Sequence, residues 1–187
     1  NIPYIPDRIG IITSPSGSVI KDMQRIIFER FPRKIELYPV TVQGDKAVKD
    51  IVQAINYFES QGDSNKPNVI IIARGGGSIE DLWCFNNEKI VKAVHKSNIP
   101  IISAIGHEPD INLIDYVADI SAATPSHAAK LVVPERKELV LNLQKQFIDI
   151  VSITSGGINP KGNLRLSIGV ISELYRKVPV RTGFKMQ

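Results

Sequence analysis

The sequence predicts an α/β fold built on a parallel sheet, because short apolar runs alternate with longer segments of helical spacing. The apolar runs are rich in Val and Ile, as buried parallel strands are. The segments between them have the length of βαβ crossover helices, about 10 to 15 residues. The predicted strands cover residues 9–14, 35–42, 68–73 and 99–104, and the predicted helices between them cover 19–31, 46–60 and 87–97.

Turn signals set the limits of these elements. The first strand ends at a Ser-Pro-Ser-Gly turn, and the helix that follows it ends before Pro32. The later runs repeat the same strand, turn and helix order. A Rossmann-like or flavodoxin-like sheet with flanking helices is therefore expected.

The last third of the chain is predicted to be helical. Thr124 or Ser126 can cap a helix that runs to Val133, and a second helix should follow it. That second helix has a coiled-coil-like stripe that is too short to stand alone. The stripe consists of Leu139, Leu143, Phe147 and Ile150. We expect an α/β domain over residues 1–134 and a helical extension over 135–187, a truncated coiled-coil arm with a poorly specified tail.

Composition narrows the class of protein. The chain has 187 residues, a net charge of +4 and one cysteine, Cys84, so an intrachain disulfide is excluded. No apolar run approaches the ~18 residues of a membrane span, and the first residues do not resemble a signal peptide, so a cytoplasmic protein is expected. The basic charge permits a polyanionic partner. Aromatic residues make up only 6% and lack a base-stacking pattern. If a nucleic acid binds, the protein is therefore expected to contact its backbone and not its bases.

Three loops at the ends of predicted strands have unusual sequences. They cover residues 13–17, 74–78 and 106–110. Ligands of open parallel sheets bind beyond the carboxyl ends of the strands, where such loops meet. We therefore expect one site that combines hydrogen-bond donors, a base and carboxylates.

The loop Arg74-Gly-Gly-Gly-Ser78 is a candidate phosphate cradle. Glycines allow the backbone to approach an anion, and Arg adds a charged fork. The alternative is a flexible turn between strand and helix. The pattern differs from the nucleotide-binding glycine motifs, so neither ATP nor NAD is predicted. The candidate phosphate-binding or DNA-binding residues are Ser14, Gly75, Gly76, Gly77 and Ser78.

His107 and Asp110 are candidates for proton transfer. An imidazole at a strand end can act as a general acid or base, and Asp110 is close enough in sequence to orient it. A surface-loop histidine is the alternative. Asp22 lies on the first predicted helix, where an acid is usually part of a solvated face. Trp83 and Phe85 are expected in the core or in the wall of the site.

Five blocks of the sequence stand in a characteristic order and spacing. The blocks are Arg8-Ile-Gly-Ile-Ile-Thr-Ser14, Tyr38-Pro-Val-Thr-Val-Gln-Gly44, Ala73-Arg-Gly-Gly-Gly-Ser-Ile-Glu-Asp-Leu-Trp83 with Phe85-Asn86, Ala104-Ile-Gly-His-Glu108, and Thr124-Pro-Ser126. In this order and spacing they resemble the exonuclease VII large-subunit family, and the resemblance covers residues 3 to about 140.

The resemblance implies a hydrolase that cuts single-stranded DNA into short oligonucleotides. It also implies that no divalent metal or other cofactor is required, and that several copies of a small helical subunit bind the helical extension. The family's catalytic motif residues fall on Asp22, Arg74, His107 and Asp110. For Arg74 and His107 this agrees with the assignment made from the residues themselves.

The sequence also departs from the family. No counterpart of the family's amino-terminal OB-fold is recognised, so a truncated copy is expected. Pro109 and Ser121 stand where the family usually has Thr and a basic residue, and Pro109 removes a backbone donor beside His107. A phosphate-binding or DNA-binding module without turnover, or an assembly scaffold, remains the alternative to the nuclease.

Overall fold

The computed structural model describes residues 2–105 and 111–154, and the part up to residue 136 contains a five-stranded parallel sheet flanked by helices. The strands are β1 (Arg8–Thr13), β2 (Lys34–Pro39), β3 (Val69–Arg74), β4 (Ile101–Ile105) and β5 (Ile120–Ser121). The helices are α1 (Ser18–Arg30), α2 (Asp45–Ser60), α3 (Ile79–Leu82), α4 (Glu88–Lys96), α5 (Leu113–Val117), α6 (Pro125–Val132) and α7 (Arg136–Thr154). A 3₁₀ turn over Trp83–Asn86 joins α3 to α4.

The strand order is β2-β1-β3-β4-β5, and all the pairings are parallel. This is the flavodoxin-like order, so the predicted α/β class with a parallel sheet is confirmed. The chain moves in one direction from β1 to β2 and in the other from β3 to β4. The point where the order reverses lies between β1 and β3.

Two apolar layers enclose the sheet, because successive side chains of a strand point to opposite faces. Ile9 and Ile11 join the layer under α1 and α6, whereas Ile12, with Ile70 and Ile72 of β3, joins the layer under α2 and α4. Full burial of each such side chain contributes about 1.5 to 3 kcal/mol. All six residues of β3 are buried, so the central strand and the loop that follows it have a rigid base.

Gly10 makes room for the aromatic core on the α2 face. A Cβ atom at this position would lie 3.2 Å from Cε2 and Cζ of Phe58 and 3.3 Å from Cγ of Pro67. Phe58 is fully buried and packs edge-on against Tyr38 and Tyr57. The glycine in the first strand is thus explained by packing.

The structure differs from the sequence prediction at several boundaries. β2 ends at Pro39 and not at residue 42, and the following segment leaves as a loop in which the Val40 N–H donates to the Thr13 carbonyl. The short elements α5 and β5 were not predicted. They are too short for a periodic pattern and depend on neighbouring elements for their stability.

The chain divides into two compact units, residues 1–136 and 137–187. The first contains the whole sheet, and the described part of the second is helical and carries exposed Val140, Leu141 and Leu143. Phe147 and Ile150 of the predicted stripe have no described side chains, and the predicted tail lies outside the described residues from 155 onward. None of the helices in the part that the structure describes combines the length and apolarity needed to cross a membrane.

Candidate active site

The loops that follow β1 and β3 meet at the carboxyl edge of the sheet, where the strand order reverses. Ile12 of β1 is in register with Ile72 of β3, so Ser14 follows β1 at the level of Arg74. α1 packs on one face of the sheet and the α3 segment on the other, and both elements begin at this edge. This is where flavodoxin-like sheets bind ligands.

Val19, in the first turn of α1, lies against the glycine loop. A Cβ atom added at Gly75 would lie 3.2 Å from Cγ2 of Val19. Any side chain at position 75 would therefore press on α1. The loop Gly75–Gly77 and the start of α1 form one continuous surface.

Arg74 is the structural centre of the glycine loop. Its guanidinium has five N–H donors. Nε donates to the Val42 carbonyl, Nη1 to the carbonyls of Gly75 and Gly76, and Nη2 to Oε1 of Gln43, at distances of 2.9 to 3.0 Å. Nη2 also lies 3.3 Å from the Asp81 carboxylate. Four hydrogen bonds and one ion pair thus match the five donors.

The loop carbonyls turn inward toward this guanidinium. Arg74 is only 8% exposed, so its charge needs these partners. Gly76 and Gly77 are exposed, and no partner among residues 2–105 and 111–154 accepts a hydrogen bond from their backbone N–H groups. The loop can therefore offer backbone donors to an anion.

Gly77 is needed because the guanidinium lies against it. A Cβ atom there would come 2.5 Å from Nη1 and 2.9 Å from Nη2 of Arg74. Such distances are shorter than real contacts, so a side chain would displace Arg74. The requirement for glycine is steric, since none of the three loop glycines has a positive φ.

Ser78 closes the loop and begins α3. Its Oγ accepts a hydrogen bond from the Asp81 N–H at 3.3 Å and caps the helix. Glu80 is exposed at the same helix start. Hydrogen bonds from the backbone N–H of Glu80 itself and from the Ser78 side chain lower the pKa of the Glu80 carboxyl. Ser78 therefore has a structural role whether or not it binds a ligand.

Ser14 follows β1, and Asp22 lies on α1, across the point where the strand order reverses. Ser14 Oγ lies 3.2 Å from Ser16 Oγ. Asp22 is one turn beyond Val19 on the same side of α1, and its half-exposed carboxylate lies 3.4 Å from Nη2 of Arg25. An exposed pair of this kind contributes little to stability, about 0 to 1 kcal/mol. Asp22 is thus free to exchange Arg25 for another partner.

His107 and Asp110 lie outside the described residues, so their positions are not given by the structure. β4 ends at Ile105 and the described chain resumes at Ile111, just before α5. β4 thus ends at the same carboxyl edge of the sheet as β3, the strand that precedes the glycine loop. In the part of the chain that the structure describes, no three His, Cys, Asp or Glu residues form a cluster suited to a metal ion.

Sequence reasoning missed one feature of this region. Val42, Gln43 and Asp81 hold Arg74, although only their presence in the family-like blocks pointed to them. Of the two aromatic residues expected in the core or in the wall of the site, Phe85 is buried and Trp83 is 69% exposed. Cys84 is buried, and this burial raises the pKa of its thiol, so it is not a reactive nucleophile.

Comparison with known proteins gives a consistent result. The family model for "Exonuclease VII, large subunit" matches residues 1–164. The chain is 54% identical over 154 residues to an exodeoxyribonuclease 7 large subunit of Rickettsia felis, covering 82% of this chain and 34% of the relative. It is 50% identical over 159 residues to the protein of that name from Chlorobaculum tepidum, covering 84% of this chain and 40% of the relative.

A third relative, from Anaplasma marginale, has the same name and is 44% identical over 178 residues, covering 95% of this chain and 44% of its own length. The chain therefore spans between 34% and 44% of the length of these three relatives. The family model and the three relatives agree with the resemblance carried by the loop sequences. The chain belongs to the exonuclease VII large-subunit family.

Proposed function

We propose that this chain carries the catalytic domain of a nuclease that hydrolyses phosphodiester bonds of single-stranded DNA and releases short oligonucleotides. The observation that carries the proposal is the Arg74-braced glycine loop at the point where the strand order reverses, with exposed backbone amides. Membership of the family supports the nuclease class, since the relatives are named exodeoxyribonuclease 7 large subunits. The protein is then a hydrolase of a polyanion, in keeping with its net charge of +4.

In the proposed mechanism the backbone N–H groups of Gly76 and Gly77 hold the oxygens of the scissile phosphate. Donors fixed in advance stabilise the charge that develops on these oxygens, because they need not reorganise during the reaction. The inward carbonyls of Gly75 and Gly76, bound by Arg74, keep the loop in this conformation. Ser14, on the loop after β1, adds a hydroxyl donor from across the point where the strand order reverses.

Arg74 has a direct role only if it exchanges a partner. The Asp81 carboxylate is its longest contact, at 3.3 Å, and is not among its hydrogen bonds. A phosphate oxygen can replace this carboxylate at Nη2 while Nη1 keeps both glycine carbonyls. The guanidinium would then stabilise the transition state without opening the loop.

His107 is proposed to transfer the proton. Hydrolysis breaks one P–O ester bond and forms a new bond between phosphorus and the oxygen of the attacking water. A proton must therefore leave the water, and a proton must reach the leaving oxygen. An imidazole can perform either transfer near neutral pH, and Asp110 or Asp22 can orient it. Which transfer His107 performs stays open.

We also propose that hydrolysis needs no divalent metal. A two-metal nuclease requires several convergent carboxylates around cations ~4 Å apart. The strand-end segments supply Glu108 and Asp110 close together in sequence, with Asp22 on α1.

We further propose that residues 135–187 bind a small helical subunit. The exposed apolar side chains of α7 are suited to pairing with another helix.

Binding without turnover is the second candidate. It is favoured by one observation: every donor of Arg74 already has a protein partner. A loop of this kind can hold a phosphate through its backbone amides alone, with Arg74 as a purely structural residue.

An assay with end-labelled single-stranded and duplex DNA separates the two candidates. The chain would be tested alone and with the small subunit, with product lengths and DNA binding followed together over a range of salt concentrations. We expect short products from single strands only, and weak binding that falls steeply with salt because phosphate contacts dominate. Salt-sensitive binding without products in any combination would favour the binding module, and absence of binding would exclude both.

A further inference from the structure

Trp83, the only tryptophan of the chain, is exposed although its neighbours are buried. The indole is 69% exposed, whereas Leu82, Cys84 and Phe85 are all buried. These three residues anchor the 3₁₀ turn in the core under α2 and α4. The indole is therefore held outward on a rigid base, and this exposure is not explained by packing.

The turn that carries Trp83 lies next to the glycine loop. The Sγ atom of the adjoining Cys84 lies 3.9 Å from the Val42 carbonyl oxygen, the same atom that accepts from Arg74 Nε at 3.0 Å. Asp81, two residues before Trp83, lies 3.3 Å from Nη2 of Arg74. The turn that carries the indole is thus fixed against the guanidinium that holds the glycine loop.

The groove beside Trp83 suits a neutral planar group. Its volume is about 530 Å³, within the usual range for small-ligand sites. Gly44, at φ 74° and with no heavy atom within 4 Å of where a Cβ would be, leaves this side open. The groove is lined by Gly44, Val48, Glu80, Trp83, Cys84, Asn86, Asn87 and Glu88.

The charges of the groove favour a base over a phosphate. Hydrogen bonds at the start of α3 lower the pKa of Glu80, and a hydrogen bond from Lys92 lowers that of Glu88, so both carboxylates are ionised at neutral pH. They repel a phosphate group. Asn87 caps α4 through Oδ1, and its Nδ2 group has no partner within the described residues, so it can donate to a base edge.

We propose that Trp83 is a stacking platform for one nucleobase of the strand whose phosphodiester lies on the glycine loop. This inference rests on the proposed function and extends it to the choice of substrate. A base can stack on the indole only when it is not already paired and stacked in a duplex. Trp83 would therefore select single strands, and it would do so for any base, because every base has a π-face.

The test uses Trp83 as its own reporter. In the 187-residue chain, indole fluorescence comes from this position alone, so an oligodeoxythymidylate that stacks on it should quench the signal. An abasic oligonucleotide of equal length and charge should bind more weakly and leave the signal unchanged. Fluorescence anisotropy of labelled oligonucleotides gives the affinity independently of the indole.

Substitutions complete the test. Trp83→Ala should weaken oligothymidylate binding roughly 5- to 100-fold without changing the salt slope, and Trp83→Phe should retain most of the affinity. Phe28→Ala is the matched control. Phe28 is 55% exposed on α1, in a groove formed with Arg8 and Lys34 at the amino ends of the strands, and its loss should have no effect.

The outcomes separate this inference from the proposed function. Binding of oligothymidylate without quenching, with equal affinity in Trp83→Ala, would overturn the stacking role and leave the nuclease proposal intact. So would a Trp83→Ala chain that binds DNA normally but loses the small subunit, since Trp83 would then be a protein contact. No binding of any oligonucleotide by the unaltered chain would count against the proposed function itself.

Discussion

At the scale of single residues, Arg74 shows how one buried guanidinium can shape a loop. Its Nη1 donates hydrogen bonds to the carbonyls of Gly75 and Gly76, so the N–H groups of the same peptide bonds point away from the guanidinium. A triple glycine would otherwise be the most pliable part of the edge, since glycine loses more backbone entropy on ordering than any other residue. Arg74 therefore preorganises the loop before any ligand binds.

Gly77→Ala tests this arrangement. The new Cβ would lie 2.5 Å from Nη1 of Arg74, so the guanidinium must give up its glycine carbonyls. We expect a loss of stability of about 1 to 3 kcal/mol, typical of overpacking, and a larger than tenfold loss of single-strand cleavage. Urea denaturation and the cleavage assay measure the two effects.

Gly62→Ala is the control, because Gly62 is exposed and a Cβ atom there meets nothing within 4 Å. It should leave stability and cleavage unchanged. If Gly77→Ala behaved like this control, Arg74 would not brace the loop in the way described.

The sequence predicted the glycine loop, but it left open whether Trp83 and Phe85 lie in the core or in the wall of the site. Three glycines between Arg and Ser have few structural explanations, so the pattern itself pointed to a site. Which of the two aromatic side chains is buried depends on the way the 3₁₀ turn packs, and residues far apart in sequence decide this. Local pattern therefore could not distinguish Phe85, which is buried, from Trp83, which is exposed.

At the scale of elements, Glu59 ties the end of α2 to the start of β4. One carboxylate oxygen accepts from the Ser97 hydroxyl and from the N–H groups of Asn98 and Ile99, and the other binds Lys66 at 2.9 Å. Burial acts to raise the pKa of Glu59, but Lys66 and these donors outweigh it and lower the pKa to about 2. The ionised form thus stabilises the fold.

This contact predicts a pH dependence of stability. The carboxyl has a pKa near its model value of 4.5 when unfolded and about 2 when folded, so the unfolded state binds more protons between these values. The stabilisation is complete above pH 4.5 and is lost as the pH falls toward 2, by up to about 3 kcal/mol. Chemical denaturation at a series of pH values measures it.

Glu59→Gln should be less stable at neutral pH and should lose less stability on acidification than the unaltered chain. Glu29→Gln, at an exposed position on α1, is the control and should keep the full dependence. Parallel curves for the unaltered chain and Glu59→Gln would show that the carboxylate does not stabilise this junction.

The longer elements could be predicted and the shorter ones could not. β1, α1, α2, β3 and α4 each have an apolar pattern that is long enough to identify them. α5 has only five residues, and it is held by a capping box between Asn112 and Asp115 and by the Ser103 hydroxyl. β5 exists because Ile120 and Ser121 pair with β4, which is a tertiary contact.

At the scale of the whole molecule, the strand order decides where chemistry can occur. Order β2-β1-β3 places the loops after β1 and β3 side by side, although about 60 residues separate them in sequence. The sequence could predict that strand-end loops converge, since this holds for any parallel sheet. It could not predict that these two loops flank the reversal point, because strand order is not written in local pattern.

The most direct test of the central claim is cleavage of labelled single-stranded DNA in EDTA, with the large and small subunits together. The account predicts that activity persists in EDTA and that His107→Ala reduces it by ~10² to 10⁴, the usual effect of removing a general acid or base. His95→Ala, in the exposed last turn of α4, should remain fully active. Full activity of His107→Ala, or loss in EDTA that Mg²⁺ or Mn²⁺ restores, would contradict the account and make Asp22, Glu108 and Asp110 metal ligands.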